Sequence, residues 1–238
     1  MDAYRLLVTC HVAAGVVALI TFWLAGLSRK GGRLHRGAGK VYLVAMLGVL
    51  CSAATMTAYF FLHGRTGAAV FLGYLCVITA TACWTAWRAI RDKRDAKAYF
   101  GRIYASLAWL SIGSGLATFA FGVALGSLLL ATFCWIGVVA GVQMLATSRA
   151  HSEQRLRGGA RWWLREHYSA MLANGVATHI AFFSIGLGRL LAPFGMKPPQ
   201  LLAWMLPVAA AIAAGYWLDR KYGVPAATVR IGGAATAR

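Results

Sequence analysis

Acidic side chains are nearly missing from this chain: Asp and Glu together number 6 among 238 residues. All of them (Asp2, Asp92, Asp95, Glu153, Glu166 and Asp219) fall outside the long apolar runs. Proton pumps and many ion-coupled carriers load their ion on a membrane-embedded carboxylate, so that mechanism loses support. Charge of either sign is thin, 13% of residues against about 25% in soluble domains. It is collected into short clusters between apolar stretches, which leaves no interleaved surface for a soluble fold. Cys10, Cys51, Cys76, Cys83 and Cys134 lie within apolar runs and show no CxxC spacing. They read as small apolar fillers, not as a disulfide framework or a zinc site. No P-loop, G-x-S-x-G, H-E-x-x-H or dinucleotide fingerprint is present, so the sequence nominates no catalytic residue and leans away from an enzyme. A cleavable leader is missing too. The apolar run from Leu6 to Leu27 is too long for a signal h-region and lacks a small-residue cleavage site, which makes it a first span.

What the chain does have is apolar length. Seven runs, at about 5–27, 41–62, 67–88, 103–121, 127–147, 167–191 and 200–218, each match the roughly 20 residues that cross a bilayer core. The expected fold is all-α, a polytopic transmembrane helix bundle of about seven spans. It forms one transmembrane domain over residues 1–222, followed by a basic cytoplasmic tail at 223–238.

Lys and Arg set its orientation. The first connection holds Arg29, Lys30, Arg33, Arg36 and Lys40; the third holds Arg91, Lys93, Arg94, Lys97 and Arg102. The fifth carries Arg149, Arg155, Arg157, Arg161 and Arg165, and the tail carries Arg220, Lys221, Arg230 and Arg238. The even connections offer only Arg65, then none, then Arg189 and Lys197. Basic loops stay in the cytoplasm, which predicts an outside N-terminus and a cytoplasmic C-terminus. Trp23, Tyr42, Trp84, Trp87, Tyr104, Trp162, Trp163, Tyr168 and Trp217 fall near the same helix ends, where an aromatic belt is expected. The net charge of +18 therefore suits anionic headgroups at the cytoplasmic face. It does not form the continuous basic face that nucleic acid needs.

Two patterns bear on packing. Gly39-Lys40-Val41-Tyr42 is echoed by Gly101-Arg102-Ile103-Tyr104, which fits either a repeated hairpin or convergence on one kind of inside helix end. Gly137-xxx-Gly141 allows close helix approach, within one chain or in a homo-oligomer.

Intramembrane ionisable groups are functional candidates by default, and here they are histidines. His11 lies in the outer half of the first span, and His179 lies near the middle of the sixth. Neutral imidazoles can hold haem b between helices, although these two differ in expected depth by about five residues, roughly 8 Å. His167 and His179 are about 120° apart around their helix and face different ways. His167, Met171, Asn174 and Thr178 follow i, i+4, i+7, i+11 spacing and make one polar stripe. The stripe, with His179 beside it, would line a solute cavity or act as interhelical glue. Glu166, next to Arg165 and His167, fits an interfacial ion pair better than a titrating gate.

Leu34-His35-Arg36-Gly37-Ala38-Gly39-Lys40-Val41-Tyr42 resembles a motif of a family of uncharacterised predicted bacterial multipass membrane proteins, His-Arg-x-x-Gly-basic-x-Tyr after the first span. His167-Tyr168-Ser169-Ala170-Met171, Thr178-His179-Ile180-Ala181-Phe182, and Trp204-Met205-Leu206-Pro207 before Tyr216-Trp217 resemble later parts of such proteins. The resemblance implies a bacterial inner-membrane protein and supplies no activity. Three readings follow: binding or transport of a small apolar or amphipathic solute, a haem- or metal-binding redox protein using His11 and His179, and a membrane assembly partner.

Overall fold

The computed structural model describes residues 2–152, 161–196 and 199–223. The tail from residue 224 onward, expected to be basic and cytoplasmic, lies outside the described residues. The described chain is helical without a strand: α1 (Ala3–Leu27), α2 (Arg33–Leu62), α3 (Thr66–Arg91), the short α4 (Ala96–Tyr99), α5 (Arg102–Ala124), α6 (Leu128–Phe133) and α7 (Trp135–Ser152). Then come α8 (Trp162–Ala181), a π-helical turn at Phe182–Gly186, α9 (Leu187–Leu191), a 3₁₀ turn at Ala192–Phe194, and α10 (Gln200–Lys221). With α4–α5, α6–α7 and α8–α9 each running as one column, seven helical columns are long and apolar enough to cross a membrane.

The first hairpin shows how the columns pair. Tyr4 stacks on Tyr59 with ring centroids 4.6 Å apart, His11 meets Ser52 at 2.9 Å, and the Phe22 and Tyr42 rings lie 5.6 Å apart. These pairs keep one antiparallel register along the whole of α1 and α2. The next reversal is at Gly64, whose φ of +71° lies in the left-handed region that a side chain resists.

The third and fifth connections, both rich in Lys and Arg, meet at one end of the bundle. There the Arg88 guanidinium donates to the Ala98 carbonyl (3.1 Å), Lys93 lies over the Trp163 ring, and Phe100 stacks on His151. We call this the basic end.

Three core clusters fill the bundle, and α8 contributes to all of them. Trp162 joins Tyr99, Phe100 and Tyr104 at the basic end. Met171 packs on Ala18, Tyr42 and Met46. Ile180 joins Tyr74, Phe133 and Trp204 further along. Close approach to α8 is made possible by Gly175, where a Cβ would sit 2.5 Å from the Phe22 ring. α8 packs chiefly against α3 and α10, and α3 in turn packs against α2 and α5.

Two expectations need correction. The aromatic ends are not one interfacial belt: Tyr42, Tyr104, Trp162 and Tyr168 are buried, while Trp23, Trp87 and Trp217 are exposed. The hydroxyls of the buried phenols have partners, those of Tyr42 and Tyr104 on α8 and that of Tyr168 on α10. The Gly137-xxx-Gly141 face is not free for assembly either. A Cβ at Gly137 would meet the Tyr74 ring at 2.8 Å, and one at Gly141 would meet the Ala108 carbonyl at 2.5 Å. Both glycines serve contacts within the chain. Among the cysteines, Cys10 and Cys51 are exposed and only Cys134 is fully buried.

Candidate functional site

The predicted stripe comes together on the inner face of α8, and protein atoms occupy it. His167 Nδ1 donates to the Ala86 carbonyl at 3.0 Å. A carbonyl only accepts, so Nδ1 carries a proton there. Asn174 is wholly buried, and its Oδ1 accepts from the Cys83 thiol at 3.3 Å. Its Nδ2 has no partner among the described residues. Thr178 donates to the Asn174 carbonyl (3.0 Å) and lies 3.1 Å from the Tyr42 hydroxyl, with Met46 Sδ at 3.7 Å. Met171 packs on Tyr42 and Met46. The four residues form the seam by which α8 binds α2 and α3. Of the two readings of the stripe, a cavity lining and interhelical glue, these contacts are of the second kind: the four side chains face other helices.

His179 stands off the stripe, against α1. Its Nδ1 donates to the Gly175 carbonyl at 2.7 Å, and its Nε2 accepts the Trp23 indole N–H at 2.9 Å. Phe22 and Trp23 meet the imidazole edge-on, with centroids 5.3 and 5.5 Å away. Both ring nitrogens are therefore in use. His11 bonds Ser52 on the other hairpin face. It precedes Trp23 by twelve residues on α1, about 18 Å along the axis at 1.5 Å per residue. The structure does not bring His11 and His179 together. Two ligands of one iron flank a single porphyrin plane, and these two sit at different levels with His179 already bonded. Among the described residues no three His, Cys, Asp or Glu side chains gather closely enough to hold a metal ion.

The sequence missed a carboxylate knot at the basic end. Glu166 Oε2 accepts the Tyr99 hydroxyl at 3.0 Å and the Tyr104 hydroxyl at 3.1 Å. Trp84, Phe100 and Trp162 wall the two phenols. Arg165 does not pair with Glu166 as expected; its Nε lies 3.4 Å from Asp219 Oδ1, which also accepts the Tyr168 hydroxyl. The knot depends on α4, which delivers Tyr99. That helix had a legible signal in Asp95, whose carboxylate caps it by accepting the Ala98 N–H at 2.9 Å.

A groove was not foreseen either. Ile20, Trp23, Leu24, Leu27, Ser28 and Leu34 line an apolar hollow of about 450 Å³ on the outer side of the first hairpin, at its basic end. It is open: Leu27 is 80% and Trp23 50% exposed. Ser28, its one polar lining residue, is bonded to the Ala25 carbonyl oxygen. That oxygen receives Ser28 Oγ at 3.1 Å, Lys30 Nζ at 3.2 Å and His35 Nδ1 at 3.0 Å. The apolar lining suits a hydrocarbon chain. The Trp23 wall is held in place by its bond to His179, which links the groove to α8. No family model matches the chain, and no curated protein or solved structure is significantly similar to it.

Proposed function

We propose that this chain is a multipass protein of the bacterial inner membrane, with its N-terminus outside and its C-terminus in the cytoplasm. It takes up an amphipathic molecule from the cytoplasmic leaflet into the α1 groove. One observation carries the reading: an apolar groove has Ser28 in its lining, and Ser28 shares a backbone carbonyl with Lys30 and His35, so polar groups lie next to a surface for a hydrocarbon tail. The solute reading thus moves from the α8 stripe, which is occupied by packing, to the outer face of the first hairpin. Seven apolar columns and the gathering of basic connections at one end support the membrane assignment and orientation, since basic loops are retained in the cytoplasm.

Trp23 is the reporter of this site. The full chain is reconstituted in vesicles with and without a brominated-chain amphiphile, and tryptophan emission is compared between the native protein and Trp23→Phe. Bromine within the groove quenches the Trp23 component, so the native protein loses a share of emission that Trp23→Phe does not. Equal fractional quenching of both proteins over the whole titration would refute occupancy of the groove.

A further inference from the structure

We propose that His179 is the positioning residue of the α1 groove, and that a proton taken up by its imidazole releases Trp23 and loosens the groove's hold on its ligand. The inference rests on the groove reading and adds its regulation.

The partners of the two ring nitrogens admit one protonation state. The Gly175 carbonyl, 2.7 Å from Nδ1, only accepts, so Nδ1 carries a proton. The Trp23 indole nitrogen, 2.9 Å from Nε2, only donates, so Nε2 offers a lone pair. The imidazole that joins them is the neutral one. A second proton has only Nε2 to enter, and the imidazolium then has donors on both nitrogens. Its Nε2–H and the indole N–H point at each other, and the bond that ties Trp23 to α8 is lost. Trp23 lies four residues before Leu27, where α1 ends, about 6 Å along the axis, so the imidazole is within reach of protons from the α1–α2 turn.

The packing lets Trp23 move and holds its neighbour. Phe22 fills the place of a side chain on Gly175, where a Cβ would sit 2.5 Å from its ring, and it also packs on Tyr42. Trp23 is half exposed and lines the groove, so an indole freed from α8 shifts a wall of the site. Among the described residues, the ring contacts of His179 are Phe22 and Trp23 from α1 and Phe183 from the π-helical turn, and none of these titrates. The titrating groups that the other helices bring to α8 meet different residues. Tyr42 of α2 meets Thr178, Cys83 of α3 meets Asn174, and Asp219 of α10 meets Tyr168 and Arg165. Glu166, on α8 itself, holds Tyr99 and Tyr104. The indole N–H is therefore the partner that a change of charge on His179 acts upon.

The full chain in vesicles is titrated with a brominated-chain alkyl glycoside, which carries no titrating group, at about pH 8 and about pH 5, the span over which imidazoles change charge. Quenching of the Trp23 component is the difference between the native protein and Trp23→Phe. At the lower pH the native protein is expected to need about threefold to tenfold more glycoside for half-maximal quenching, the scale of one hydrogen bond. His179→Gln takes up no proton in this span and still offers a carbonyl oxygen to the indole N–H, so its half-maximal concentration should be the same at both values. A native profile that does not change with pH would overturn the proton control and leave the groove standing. A pH dependence kept by His179→Gln would overturn it as well, since the titrating group would then lie elsewhere. Equal quenching of the native protein and Trp23→Phe at about pH 8 would overturn the groove itself.

Discussion

Gly141→Ala adds one methyl group at a crossing where α7 lies close against α5. The new Cβ would lie 2.5 Å from the Ala108 carbonyl oxygen, 2.6 Å from Ile112 Cγ1 and 3.2 Å from the Ile112 nitrogen. Carbon atoms rest at about 3.5–4.0 Å from their neighbours, so α5 must retreat by about 1 Å. Two of the three neighbours are backbone atoms and cannot rotate away. Overpacking of this kind costs about 1–3 kcal/mol. The gain in helix propensity on leaving glycine is about 0.5–1 kcal/mol, so the variant should lose roughly 1–2 kcal/mol. Gly113→Ala on α5 is the internal control, because nothing lies within 4 Å of its Cβ. It keeps the propensity gain without the clash and should be neutral or slightly stabilised. Reversible unfolding by SDS titration in mixed micelles, followed by circular dichroism, separates the two. If Gly141→Ala were as stable as the native chain while a purified oligomer fell to monomer, the face would belong to assembly, and the intrachain account would be wrong.

Glu166→Gln should destabilise the bundle by about 1–3 kcal/mol, since two hydrogen bonds to a charged acceptor become neutral ones; Tyr99→Phe and Tyr104→Phe should each cost less alone, and strictly additive losses in the double-mutant cycle would argue against a shared acceptor. Asn174→Leu removes a buried amide whose Nδ2 has no described partner, so its stability should match or exceed the native value by about 1 kcal/mol; a loss of several kcal/mol in thermal unfolding would show that the amide is satisfied after all. A Soret band that disappears in both His11→Ala and His179→Ala would contradict their separation, and the expected visible spectrum has no band that depends on the pair. An impermeant maleimide applied to intact cells should label Arg65→Cys and spare Arg29→Cys, and the reverse pattern would invert the orientation.

The seven columns were legible because apolar length is a property of composition, which a bilayer reads almost directly. Their starts were less so. α2 begins at Arg33 and α8 at Trp162, several residues before the apolar runs, because a helix can run on past its membrane-length stretch, in α2 through an exposed basic turn at Arg33 and Arg36. The polar stripe of α8 was found from spacing alone, yet spacing does not say whether a polar face meets a solute or a neighbouring helix. That was decided by Ala86, Cys83 and Tyr42, contributed by helices about 80 to 140 residues away in sequence. The Glu166 knot was invisible for the same reason. Tyr99 and Tyr104 sit 67 and 62 residues before their acceptor, and the local neighbour Arg165 suggested a different partner. The bond between Trp23 and His179 spans 156 residues, and only the packing of α8 on α1 brings it about.

The position of α8 in the chain has a consequence for synthesis. The phenols of Tyr42, Tyr99 and Tyr104 and the indole of Trp23 all find their partners on α8. Five columns are translated before that helix, and none of these four groups can complete its bond until residues 162–181 have emerged. Domains commonly consolidate from the N-terminus as the chain is made. Here the early helices can pair among themselves, α1 with α2, α2 with α3 and α5 with α7, while these four bonds wait for the sixth column. A ribosome stalled before Trp162 would hold helices already paired, with four polar groups still lacking the helix that completes them.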